Sequence, residues 1–187
     1  IEHYLAAHAT NLENVWYSTA TRLSAWQPLP SAPLQPVAAE FGSVRLTAAS
    51  VQPYEIASAN QPIQVRLVWQ IINVDQSLGV TLRLQDSKGH TWASRDYDPL
   101  GSLSNAPDKL DGSTDSAAAA STDVVDQVGF IVPVGLPPGA YELTVGVTDG
   151  VDTLLQPIPS AATLNSGLIK LAVITVIQPP APLPAFR

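Results

Sequence analysis

The residues of this chain whose types and spacing could do chemistry are paired carboxylates and strand-end aromatics. In the run RDYDP, Asp96 and Asp98 stand two apart at the end of an expected strand, so both side chains project to one side. Asp149 and Asp152 do likewise at a second loop. Two acids flanking a glycosidic bond can hydrolyse it. Carboxylates supplied by loops can also hold Ca2+, which takes about six to eight oxygens. Acidic residues in turns otherwise cap their own backbone. The three readings stay open, with Asp96 and Asp98 as the carboxylates for a ligand or a reaction and Asp149 and Asp152 as the calcium pair. A sugar ligand would also want an exposed aromatic platform. Trp92, Tyr97 and Trp69 are the candidates: Trp69 ends an inward-facing alternation and is expected in the core, Tyr97 at a loop edge is expected outside, and Trp92 could lie on either side.

Other catalytic patterns are missing. The sequence holds no G-x-S-x-G elbow, no phosphate-cradling G-x-x-x-x-G-K, no H-E-x-x-H and no dinucleotide glycine pattern. There is no cysteine, which excludes disulfides, thiolate zinc sites and cysteine nucleophiles. His3 and His8 are five apart, not the four that places two ligands on one helical face, and His90 follows a hairpin glycine and is expected in solvent. No cofactor is therefore expected beyond a Ca2+ ion on the acidic loops.

Composition narrows the partners. The 187 residues suit one domain, and 13% charged residues leave a neutral surface rich in hydroxyls and amides. The net charge is −7, and nine Lys and Arg scattered along the chain make no basic stripe, which argues against nucleic acid and anionic membranes. The absence of methionine, even at Ile1, makes the chain look like a piece of something longer. The longest apolar run, residues 168–177, is interrupted by Lys170 and is about half the ~20 residues of a spanning helix.

The elements that must position these residues follow from periodicity. Leu5, Leu12, Val15, Trp16, Thr19 and Leu23 fall near one face at helical spacings, which predicts a short helix within residues 1–26. The run LPSAPLQP then breaks regular structure and reads as a linker or an extended edge crossing. From Gly42 onward the period is two. Val44, Leu46 and Ala48 form one inward set, Ile63, Val65, Leu67 and Trp69 a second, and Val80, Leu82 and Leu84 a third. DSKGH is hairpin chemistry, with residues 90–96 as its return strand. Residues 97–127, rich in Asp, Ser, Gly and Ala, are expected to be a long mobile connection. Alternation resumes at residues 128–132. The run LPPGAY predicts a tight turn into a strand carrying Tyr141, Leu143, Val145 and Val147, with Tyr141 placed to tie its hydroxyl to upstream backbone. Residues 168–177, apolar on both faces, read as a central strand.

The fold class is therefore all-β: a two-sheet antiparallel β-sandwich, immunoglobulin-like or jelly-roll-like, with a short N-terminal helix. The expected organisation is a helical segment and Pro-rich linker over residues 1–36, the sandwich over 37–178 and a Pro-rich tail over 179–187.

Three stretches, VRLVW, VTLRLQDSKGHTWASRDYDPLG and FIVPVGLPPGAYELTVGVTD, taken in this order and spacing, resemble the C-terminal soluble β-sandwich region of some bacterial polytopic glycosyltransferases of the dolichyl-phosphate-mannose–protein mannosyltransferase type, notably those of filamentous phototrophs. VWYSTATRLSAW resembles the stretch after the last membrane span. The likeness covers most of residues 44–150. The long connection lacks the Trp and Pro-Gly of that pattern, and Thr148 replaces an aromatic before Asp149. The resemblance implies an extracytoplasmic domain beside a membrane-embedded core that uses a lipid-linked sugar, with the catalytic residues in membrane loops outside this chain. The expected function is then a non-catalytic module of a membrane glycosyltransferase that binds glycan or acceptor. The alternatives are a structural or adhesion sandwich making protein contacts, and a glycoside hydrolase built on Asp96 and Asp98. Candidate ligand residues are Trp92, Tyr97, Asp96 and Asp98.

Overall fold

Alternating apolar residues on successive strands face one another across two sheets. The computed structural model describes residues 9–16, 22–28, 32–56, 61–72, 78–97, 123–149, 153–158 and 167–177. Its strands in chain order are β1 (Ala9–Trp16), β2 (Arg22–Pro28), β3 (Gln35–Phe41), β4 (Val44–Gln52), β5 (Glu55–Ile56), β6 (Pro62–Ile71), β7 (Leu78–Gln85), β8 (Thr91–Tyr97), β9 (Asp123–Ile131), β10 (Gly139–Asp149) and β11 (Ile169–Val176). One sheet runs β2-β1-β9-β6-β4-β3 and the other β5-β11-β10-β7-β8. Neighbours are antiparallel except β1 beside β9 and β5 beside β11. No helix occurs among the described residues. The fold is the all-β, two-sheet architecture that period-two alternation predicts.

The core lies between the sheets. Phe41, Leu46, Ile63, Leu67 and Trp69 come from the six-stranded sheet, and Leu82, Leu84, Leu143, Val145 and Ile174 from the five-stranded one. Each such side chain contributes about 1.5–3 kcal/mol by leaving water, which is what holds the two layers together. Trp69 is buried there as its alternation predicts, with its ring 6.4 Å from that of Phe41. Outward positions of β10 are constrained too. A side chain at Gly146 would place its Cβ 2.8 Å from both Leu154 and Leu168, which lie across that position, so glycine lets them close down on the sheet.

Several expectations are corrected. The helix is replaced by a β-hairpin wherever residues 1–26 are described: β1 and β2 pair from Ala9↔Pro28 to Trp16↔Arg22, and β1 also meets β9 at Asn11↔Val128. Asn, Val, Thr and Trp favour helix weakly, and a short helix has little stability of its own, so pairing against a sheet prevails. Of the two readings of the Pro-rich run, linker or extended edge, the edge applies from Gln35, where β3 begins, and Pro36 is tolerated because β3 is the outermost strand of its sheet. In β4 a bulge between Leu46 and Ala48 shifts the inward set to Val44, Leu46, Ala49 and Val51. The expected connection at 97–127 ends early, because β9 already begins at Asp123; its residues 98–122 lie outside the described residues. The strand at 168–177 is not central: β11 has only the two-residue β5 beyond it, and Val173 is exposed. Residues 1–8 and the tail at 179–187 lie outside the described residues.

Candidate functional site

Three features gather polar or aromatic side chains: the β7–β8 hairpin, the crossing between β8 and β9, and the acidic turn after β10.

The hairpin is built from DSKGH. Asp86 donates its N–H to the carbonyl of His90 at 3.0 Å, and the Gly89 N–H returns to the carbonyl of Asp86 at 2.9 Å. Gly89 takes φ of 78°, which a side chain would resist. One carboxylate oxygen of Asp86 accepts the N–H groups of Lys88 at 2.9 Å and His90 at 3.0 Å. The other accepts the indole N–H of Trp92 at 3.1 Å. That indole bond, with the two backbone bonds, holds the Asp86 carboxyl below its ordinary value against the raising effect of its partial desolvation. Trp92 is half-buried and crossed edge-to-face by two rings, His90 at 5.0 Å and Tyr141 at 6.4 Å. Tyr141 in turn donates its hydroxyl to the Pro137 carbonyl at 2.6 Å, the tie to upstream backbone that its place after a corner predicts. Burial, and then the nearby Asp86 charge, raise the Tyr141 hydroxyl above its ordinary value. The β7–β8 turn and the loop before β10 thus meet at one end of the sandwich, with Trp92 as the shared aromatic and His90 and Thr91 exposed beside it.

The second feature lies between the sheets. Alternation on β8 sends Arg95 and Tyr97 toward β9. Tyr97 donates its hydroxyl to Asp126 at 2.6 Å, and the Arg95 guanidinium donates to the carbonyl of Gly129. Desolvation pushes the Asp126 carboxyl above its ordinary value, against the lowering effect of the Tyr97 bond and of Arg95. Desolvation, and then the Asp126 charge, push the Tyr97 hydroxyl well above its own. Its bonding makes this trio a clip between the sheets.

The sequence-predicted residues fare differently. Tyr97, expected as an exposed platform, turns its hydroxyl inward instead, because its parity on β8 faces the other sheet. Trp92 keeps partial exposure. Asp96 is exposed on the opposite side of β8 from Tyr97. Asp98 and Asp152 lie outside the described residues. Asp149 accepts the N–H of Thr153 at 2.9 Å while its own N–H reaches the Thr153 carbonyl at 3.0 Å, which is the turn-capping use of an acidic loop residue. Among the described residues no group of three or more His, Asp or Glu is placed to hold a metal. Sequence reasoning missed Asp126, which fell in the expected loop. The available signal was its parity with Val124 and Val128, where a carboxylate occupies an inward position.

No family model matches the sequence, and no curated protein matches it. Among solved structures, the C-terminal domain of wzt is similar at 12% identity with a TM-score of 0.41, covering 80% of each chain. A Niemann-Pick type C2 protein from the Japanese carpenter ant aligns at 11% identity and TM-score 0.40, covering 78% of this chain and 100% of its own. The CARDB domain of a Pyrococcus furiosus protein, in complex with di-metal ions, aligns at 10% identity and TM-score 0.36, covering 81% of this chain and 100% of its own. At those scores the likenesses carry no argument about function.

Proposed function

We propose that this chain is a non-catalytic sandwich module that binds a glycan or glycosyl acceptor at the Trp92 corner, on the extracytoplasmic side of a membrane-embedded glycosyltransferase. The observation that carries the binding reading is Trp92 itself: an indole left partly open, with its N–H fixed on Asp86 and its orientation held by His90 and Tyr141. A ring held this way loses little freedom when a sugar stacks on it, which favours binding. The membrane partner rests on the motif resemblance over residues 44–150. The test is a saccharide titration followed on the Trp92 indole N–H resonance. Binding moves that resonance and is lost in Trp92→Ala provided the variant still melts cooperatively. An indole resonance unmoved by every saccharide in a glycan panel would sink this reading.

The second reading, a structural module that docks protein, draws on the loop before β10. Val134 is 77% exposed there and Ile131 at the end of β9 is also exposed. A partner engaging that loop would protect its amides from exchange while leaving the indole resonance where it was. The hydrolase reading has no described second acid beside Asp96 to support it.

A further inference from the structure

The outer face of the six-stranded sheet carries an unusual row. Strand register sets Ser50 opposite Arg66 and Arg66 opposite Gln127, across β4, β6 and β9. Their neighbours Val51, Val65, Leu67 and Val128 point inward, so these three side chains share the outer face. Ser50 is 2% exposed. Its Oγ, the Arg66 Nε and the Gln127 Oε1 are all buried and have no hydrogen-bond partner. Buried polar atoms are ordinarily satisfied, so three in one cross-strand row call for a partner. The adjoining row on one side is apolar, Ala48, Val68 and Val125, the last 46% exposed. On the other side lie Gln52, Gln64 and Gly129.

The donor and acceptor pattern selects the ligand. Arg66 Nε must find an acceptor, Gln127 Oε1 must find a donor, and Ser50 Oγ can serve as either. A carboxylate or phosphate would satisfy Arg66 but would need the Gln127 amide turned to present its NH2 in place of Oε1. Hydroxyl groups serve both atoms as placed. Two strand spacings make the row about 10 Å long, room for one sugar ring and its substituents. The Val68 and Val125 strip offers an apolar seat for the C–H face of that ring.

We infer that the Ser50–Arg66–Gln127 row is a second saccharide-binding surface, taking the neighbouring hydroxyls of a neutral sugar on the opposite sheet from Trp92. It rests on the reading of the chain as a saccharide-binding module and adds a site to it. The three atoms are buried in the free protein, so binding on this reading requires the half-buried Arg66 and Gln127 side chains to swing aside.

The test titrates the whole chain with cellotetraose, maltotetraose and mannotriose in turn, with glucuronate as the anionic comparison, and follows amide and side-chain resonances. At least one neutral sugar shifts Ser50, Arg66 and Gln127. Arg66→Ala and Gln127→Ala each weaken that binding about tenfold, while Ser50→Ala weakens it and leaves the Tm unchanged or raised, since it deletes a hydroxyl that bonds nothing in the free protein. Shifts confined to the Trp92 indole overturn the second surface and leave the first. A lowered Tm in Ser50→Ala overturns it by making the row an internal network. Glucuronate binding in place of the neutral sugars overturns the ligand class, and no shift of Ser50, Arg66 or Gln127 with any of the four overturns this surface, while the Trp92 reading falls only if the wider glycan panel also leaves its indole resonance unmoved.

Discussion

Trp92 and Tyr97 lie on the same strand, and each donates a hydrogen bond to an aspartate, yet the two bonds belong to different kinds of structure. Trp92 reaches Asp86, six residues away, across an open hairpin. Tyr97 reaches Asp126, 29 residues away, across the gap between two sheets. Solvent reverses the electrostatics. Asp86 is only partly desolvated, gains three donors that outweigh that loss and is held below its ordinary value. Asp126 has lost its water, and the hydroxyl of Tyr97 and the charge of Arg95 do not offset that loss, so its carboxyl is raised. A hydrogen bond to a carboxylate stabilises the charge in both places; whether the charge itself is favoured depends on what it gave up.

The largest effect on this contrast is expected from Tyr97→Phe. It leaves a buried carboxylate without its hydroxyl donor, at a cost of about 1–3 kcal/mol, or roughly 2–4 °C of Tm per kcal/mol for a chain of this size. Thermal melts near neutral pH read it, and an unchanged Tm would mean that the clip holds nothing together. Tyr141→Phe comes next. It removes one bond to the Pro137 carbonyl and costs about 1 kcal/mol, with the Trp92 indole resonance moving as its neighbouring ring loosens.

The pH profiles sharpen the comparison. Asp126 is raised in the folded state, so its contribution is fully present below 3.8 and fades as pH rises through the folded value. Asp126→Asn keeps an acceptor for Tyr97 without the charge, so its Tm gains on wild type as pH climbs through that window. Asp86 is lowered, so its contribution is present above 3.8 and fades as pH falls through the folded value. Asp86→Asn therefore loses ground to wild type over the acid window as pH rises. Difference curves of the same sign would end the contrast between the two bonds. The smallest effect is Trp92→Phe, which leaves Asp86 its two backbone donors and lowers the Tm less than Tyr97→Phe does; an equal loss would make the corner as structural as the clip.

Local chemistry was legible wherever a few consecutive residues decide the outcome. Period-two alternation announced β6, β7 and β10, DSKGH announced its own turn and with it the return strand β8, and the tie from Tyr141 to Pro137 followed from its place after a corner. These depend on steric limits and on the two-sided strand, which residues carry with them wherever they fold. Where one competing feature intruded, the pattern misled: an aspartate at an inward position hid the start of β9, and helical spacing over residues 1–26 gave no warning of a hairpin whose strands are stabilised by pairing with each other and with β9.

The amino-acid order by itself determined that this chain makes strands, where most of them turn, and that Trp69 would be buried. The meeting of β8 with β9, the inward turn of Tyr97 and the alignment of Ser50 with Arg66 and Gln127 were decided by the tertiary structure. These arrangements join residues far apart in the chain, and their energies come from desolvation and cross-strand register, which exist only once the sheets have stacked.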